Sequence, residues 1–370
     1  MTEPVKNGQK TEKSAPCVTL RREACLRFRH AAAECTKCFD ACTAHAIAWS
    51  DGAFVLHPRK CTLCGACAAA CDLDAIALPR GEGLNGPKML EAAKKGGTAV
   101  FACSQSAAED GALKLRCLNA LRPVDLLAAF AEGAEKIELL TGACASCPRK
   151  SGASPEKLCE KTHALAAAAG FAAAFRIRRL PGGVSLEKRF FFRRLAQRVS
   201  EPEKEEEVQR AVPGIDTWCN PADDRSVHAM PKSRAALLAA LAALQKKGGE
   251  QSPEGSAAGL FFKPRLDAAS CIGCSLCTAA CPTGALSEEK EGESLRIYSE
   301  ARGCTGCGLC RSVCFKGAVR IEDAPLSAVL SGEKTLEYEK NNSSGGDLEG
   351  TEVWEGKLGK MFGDVPVYTT

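Results

Sequence analysis

Three stretches of this chain repeat one spacing, C-x2-C-x2-C-x3-C: "CTLCGACAAAC" (61–71), "CIGCSLCTAAC" (271–281) and "CTGCGLCRSVC" (304–314). A fourth stretch, "CTKCFDAC" (35–42), carries the last three cysteines of the same pattern and has Ala32 where the first would stand. Repetition is the feature that most constrains the fold, because a recurring unit is one structural module. Four motifs arranged in two pairs mean two similar modules, one near each end of the chain. Three cysteines at this interval wrap a loop around one centre, and the fourth lies on the following helix and points away from it.

The chain has 23 cysteines against 5 histidines, 3 tryptophans and 3 tyrosines. A disulfide scaffold would suit a small secreted protein with a signal peptide. The opening residues 1–16, "MTEPVKNGQKTEKSAP", are polar and expected to be disordered, with none of the apolar core of such a signal. "TLRREACL" (19–26) faintly resembles a twin-arginine signal, but charged residues follow it. "ALAAAAGFAAAF" (164–175) falls short of the roughly 20 residues that cross a bilayer. The expectation is a cytoplasmic protein without a transmembrane segment, whose reduced, clustered thiols hold metal. A net charge of +4 spread along the chain gives no case for nucleic acid.

Each pair of motifs encloses a hairpin pattern. "AIAWSDGAFVLH" (46–57) is two alternating segments around Asp51-Gly52, a favoured two-residue turn, and "ALSEEKEGESLRIYS" (285–299) is a longer version. Cysteine loop, short helix, hairpin, cysteine loop, short helix and strand resembles the bacterial ferredoxin with two [4Fe–4S] clusters, over residues 17–80 and 265–325. The resemblance implies an α+β ferredoxin-like module at each end and a ligand crossover between motifs. Cys271, Cys274, Cys277 and Cys314 would then hold one cluster, and Cys304, Cys307, Cys310 and Cys281 the other.

Carried to the N-terminal module, the crossover assigns Cys61, Cys64, Cys67 and Cys42 to one cluster. Cys35, Cys38 and Cys71 share the second and lack a ligand. Cys25 is the first candidate to complete it, Cys17 the reserve, and a three-cysteine [3Fe–4S] site the remaining alternative. The module lacks the proline that follows the last cysteine in this family, at "CTAHAI" and "CDLDAI".

Residues 98–182 change pattern. "TAVFAC" (98–103), "LKLRC" (113–117), "KIELLTGACASC" (136–147) and "AFRIRRL" (174–180) read as strands, with helices over 123–134 and 155–171. Alternation predicts a central parallel α/β sheet, with Cys103, Cys117, Cys144 and Cys147 beyond the carboxyl ends of its strands, where ligands gather. These cysteines and their surroundings resemble the iron–sulfur domain of methyl-viologen-reducing hydrogenase delta subunits, which implies one [2Fe–2S] cluster. A redox dithiol at Cys144 and Cys147, or inert thiols, are the alternatives.

Residues 183–264 read as a basic and acidic linker. It contains Phe190, Phe191 and Phe192 among arginines, either a solvated face or a docking segment for an acidic partner or a membrane surface. It also contains an amphipathic helix over 233–249 with Ser233 as its N-cap. "GEGLNG" (81–86) is read as linker and residues 335–370 as a flexible tail. Cys17, Cys159 and Cys219 are left over, and the five histidines share no ligand spacing. The expected function is single-electron transfer through four [4Fe–4S] clusters and one [2Fe–2S] cluster, the chain acting as an adaptor to a partner oxidoreductase with the two modules as the ends of the wire. The alternatives are a maturation factor for a redox enzyme and a thiol oxidoreductase centred on Cys144 and Cys147.

Overall fold

The computed structural model describes residues 18–50, 52–79, 97–107, 111–147, 155–180, 228–248, 259–292 and 294–340, with the backbone of 210–213. Cys17, Cys219, the glycine-rich stretch at 81–86 and the phenylalanines at 190–192 lie outside the described residues.

The two modules repeat one plan. In the N-terminal module β1 (Thr19–Leu20) pairs antiparallel with β4 (Ile76–Ala77), and the hairpin of β2 (Ile47–Ser50) and β3 (Ala53–Leu56) turns through Gly52 at φ 73°. In the C-terminal module β10 (Phe262–Leu266) pairs with β13 (Val319–Asp323), and β11 (Leu286–Glu291) with β12 (Ser294–Glu300). Each hairpin gains a third strand from elsewhere: β9 (Arg210–Pro213) on β3, and β14 (Lys334–Lys340) on β12. The strand at 334–340 corrects the expected flexible tail over its first residues. Leu336 is half-exposed in β14, but Glu337 and Tyr338 face the module and are covered.

Between the modules lies the expected parallel sheet, in the order β6 (Leu113–Leu115), β5 (Gly97–Cys103), β7 (Ala134–Thr141), β8 (Phe175–Arg179). Two helices cross between its strands: in chain order after the short α1 (Leu26–Arg29), α2 (Lys37–Asp40) and α3 (Ala66–Ala69) come α4 (Pro123–Glu132) and α5 (Pro155–Ala168). Pro123 supplies the first turn of α4, where its missing N–H costs nothing, and Gly133 at φ 122° ends it. The supposed linker contributes α6 (Lys232–Gly248), a helix as expected but an integral part of the core: Leu238, Leu241 and Leu244 are buried beside Phe101, Phe130 and Phe261. Its apolar face covers α4, and Lys247 donates to the last carbonyls of that helix, Phe130 O and Ala131 O. Residues 183–264 are therefore not a simple spacer. No helix among the described residues is long and apolar enough to cross a membrane.

The modules also touch each other. Leu26, Ala33 and Leu73 of the first meet Leu309 and Val313 of the second in one buried cluster, with Leu276 and Ala280 at its margin. Leu309–Val313 is α8, and α7 (Leu276–Ala280) lies beside it. Asp74 ties the parts together, accepting Nη1–H of Arg122 at 2.7 Å and the backbone N–H of Ser233 at 2.8 Å. Ser233 thus stands one residue inside α6, its amide bonded to a carboxylate of the N-terminal module, rather than capping the helix.

Candidate metal centres

The four motifs build one local shape. In every case the helix begins one residue before the third cysteine of the pattern: Cys38 in α2, Cys67 in α3, Cys277 in α7 and Cys310 in α8. Three residues beyond the last cysteine the chain takes a left-handed turn, at His45 (φ 48°), Asp74 (φ 52°), Gly284 (φ 71°) and Gly317 (φ 64°). In the N-terminal module the next amide then donates to the last cysteine, Ala46 N–H to Cys42 Sγ and Ala75 N–H to Cys71 Sγ, both at 3.3 Å. Loop amides of Gly273, Gly306 and Leu309 likewise donate to Cys271, Cys304 and Cys307. Amides turned toward sulfur stabilise its anionic form.

The thiols gather in fours. Burial first, then the charges of Cys271, Cys274 and Cys314, push Cys277 up to about 12. Cys310 is raised by burial and by Cys281, Cys307 and Cys304, and Cys67 by burial and by Cys64, Cys42 and Cys61. Burial, with Cys25, Cys35 and Cys71, pushes Cys38 up to about 12. The structure therefore brings Cys25 to the incomplete group. Its sulfur accepts the backbone N–H groups of Arg27 and Phe28 at the start of α1. Cys159 is also pushed up to about 11, but by burial and by Glu156 and Glu160, apart from these groups.

Register explains the placement of Cys25. Leu20 opposes Ile76 as Leu266 opposes Val319, and Cys25 follows Leu20 by five residues, as Cys271 follows Leu266. Cys25 thus holds the first-cysteine position, and α1 is an insertion between it and Cys35. The insertion is fixed by Arg27, whose Nε–H donates to Cys35 O at 2.7 Å and whose guanidinium lies over Trp49 and Phe39. Cys25 was the first candidate from the sequence, and the opening strand, too short to stand out as a pattern, carries the register behind its place.

In the middle domain Cys103 ends β5, Cys117 follows β6 and Cys144 follows β7, so a concavity at the carboxyl edge of the sheet is lined by these three with Cys147, Arg116 and Thr141. Ser104 joins two of the loops, its N–H donating to Leu115 O and its hydroxyl to Arg116 O. Cys144 is raised by burial and by Cys103, Cys117 and Cys147, with Arg179 opposing.

These groups fit an anionic-sulfur-binding core. Four mutually repelling thiols can ionise together only around positive charge, and metal loading releases their protons. Thr62 Oγ1 in the Cys61 loop and Asn119 Nδ2 beside Cys117 are buried polar atoms with no hydrogen-bond partner among the described residues, donors that cluster sulfides would satisfy. Among the described residues no three His, Cys, Asp or Glu side chains close to the spacing of a single ion, which for tetrahedral zinc would hold sulfurs about 3.8 Å apart.

Gly65 separates the motifs from one another in a testable way. Gly65, Ser275 and Gly308 follow the second cysteine of their motifs at φ 81°, 60° and 76°, so all three share a left-handed conformation that strains any side chain, Ser275 included. A Cβ on Gly65, however, would stand 2.6 Å from Ala120 Cβ, whereas one on Gly308 meets nothing within 4 Å. Gly65→Ala is expected to cost about 2–4 kcal/mol, against about 1 kcal/mol for Gly308→Ala. Denaturant midpoints of the two variants check this.

Comparison with known families agrees with the motifs. Residues 270–318 match the family described as the 4Fe-4S dicluster domain, and residues 54–77 the 4Fe-4S binding domain. No curated protein matches the chain. The chain therefore carries 4Fe-4S ferredoxin-type domains near both ends and a four-stranded parallel sheet between them.

Proposed function

We propose that this chain is an adaptor that relays single electrons between a donor and a partner oxidoreductase through four [4Fe–4S] clusters and one [2Fe–2S] cluster. The observation that supports the reading most is the repeated cysteine motif with its two 4Fe-4S family matches, and in five places one thiol lies within charge range of three others drawn from separate segments. Bound clusters supply reversible one-electron storage. The residues that would hold them are Cys271, Cys274, Cys277 and Cys314; Cys304, Cys307, Cys310 and Cys281; Cys61, Cys64, Cys67 and Cys42; and Cys35, Cys38, Cys71 and Cys25. In the middle domain they are Cys103, Cys117, Cys144 and Cys147. Around them the chain excludes water with Leu63, Leu266, Ile297 and Val319, all buried. It also orients amide donors toward sulfur, and both factors set reduction potential.

A thiol oxidoreductase needs an activated, depressed cysteine. Burial and three neighbouring thiols move Cys144 the other way.

Iron and sulfide analysis with EPR on the anaerobically purified, dithionite-reduced chain tests the reading. About 18 irons is the expected result, and about 16 would leave the middle domain without a cluster. A colourless or zinc-filled preparation defeats the proposal, and iron passed on to an apo-enzyme without redox turnover would make the chain a maturation factor.

A further inference from the structure

We infer that the five thiol groups stand in one linear series, with the middle-domain group at one end, the Cys271 group at the other, and the two modules joined through the Leu73–Leu309 seam. This rests on reading the groups as cluster sites, and it replaces the expectation that the modules are the two ends of the wire.

Each link has its own contact. Ala120, three residues after Cys117, lies so close to Gly65, between Cys64 and Cys67, that no side chain fits there, and α3 packs on the turn at Leu118–Ala120. The middle-domain group therefore adjoins the Cys42, Cys61, Cys64, Cys67 group. Within the N-terminal module α2 and α3 touch, and Cys38 lies within charge range of Cys67. The next link is the seam, where Cys35 and Cys71 from one side and Cys307 from the other pack against the Leu26, Leu73, Leu309 and Val313 cluster. Lys37 marks the same crossing: it is paired with Asp72 and within charge range of both Cys35 and Cys307. Inside the C-terminal module α7 and α8 touch, and Cys277 lies within charge range of Cys310.

Exposure supports the same order independently. Among the described cysteines only Cys144 and Cys274 are exposed, and they belong to the two end groups. The interior groups have none. Ile272 and Phe315, 40% and 53% exposed, stand beside the Cys274 end. Electron tunnelling falls steeply with distance, so adjacency decides the route. Each transfer leaves one site oxidised and its neighbour reduced by a single electron, supplied at one exposed end by a one-electron reductant such as dithionite and withdrawn at the other by a one-electron acceptor.

Pulsed dipolar EPR on the full-length, iron-loaded chain, reduced in steps with dithionite, tests the order. Cys117→Ala and Cys314→Ala identify the signals of the end sites by their loss. The expected result is that the middle-domain signal couples most strongly to an N-terminal cluster, that one N-terminal cluster couples to one C-terminal cluster, and that the two end sites couple most weakly. Stronger coupling of the middle domain to a C-terminal cluster, absence of coupling between the modules, or a silent middle domain beside four cubane signals overturns the series. A chain without iron or paramagnetic signals instead overturns the cluster reading, so the two failures are distinct.

Discussion

Replacing Cys25 with alanine is expected to convert the cluster nearest the module seam to a three-iron form or to lose it, lowering the iron content by about one or about four from about 18 per chain. Three thiolates from Cys35, Cys38 and Cys71 would still bind, but one iron corner would lack sulfur. Cys25 is pinned on both sides: β1 places it relative to β4, and the insertion returns through Arg27 and the Phe28–Trp49 edge contact at 5.6 Å. The Arg22 guanidinium lies over the Phe28 ring, and Val18 and Phe28 are buried in the module core. The alanine variant therefore keeps its fold and loses only a ligand. Iron analysis and the paramagnetic signal of an oxidised three-iron cluster measure the effect. Cys17→Ala is expected to leave both unchanged; if Cys17→Ala gives the three-iron signal and Cys25→Ala does not, the assignment passes to Cys17.

The same module shows where sequence reading succeeds and where it stops. Spacing within C-x2-C-x2-C-x3-C is local, so the helix starts, the hairpin at Gly52 and the sheet of the middle domain were legible from the residues, because period and turn chemistry report on neighbours along the chain. The place of Cys25 depends on a two-residue strand pairing across 56 residues, Leu20 with Ile76, and no local pattern carries that register. Likewise α6 reads as an amphipathic helix, but its partner face is set by α4 and by the C-terminal module, through Arg234, which donates to Ala301 O and Arg302 O and lies over the Phe261 ring. The seam is the extreme case: Leu73 and Leu309 sit in motif copies whose spacing says nothing about each other, and only the folded molecule brings them together.

Replacing Glu337 with alanine is expected to destabilise the C-terminal module by about 2–4 kcal/mol. Its carboxylate is almost wholly buried, 2% exposed in the side chain, and accepts Nη1–H of Arg265 at 3.0 Å, the hydroxyl of Ser299 at 2.7 Å and the backbone N–H of Leu266 at 3.1 Å. Removing it leaves a buried hydroxyl and amide unpaired and strips Arg265 of its closest counter-charge. Glu337→Gln keeps the shape and one acceptor oxygen, so a smaller loss of about 1–3 kcal/mol is expected. The damage reaches the end of the proposed series because Leu266 leads into the Cys271 loop and Tyr338, the next residue of β14, covers Gly273, where a Cβ would meet its ring at 3.0 Å. Ending the chain after Glu333 removes both residues and is expected to bleach the C-terminal clusters at a lower denaturant concentration than either point variant, while the N-terminal signals persist. Equal stability of the truncated and full-length chains, followed by cluster absorbance in denaturant, would show that β14 is dispensable and that Glu337 holds nothing in place.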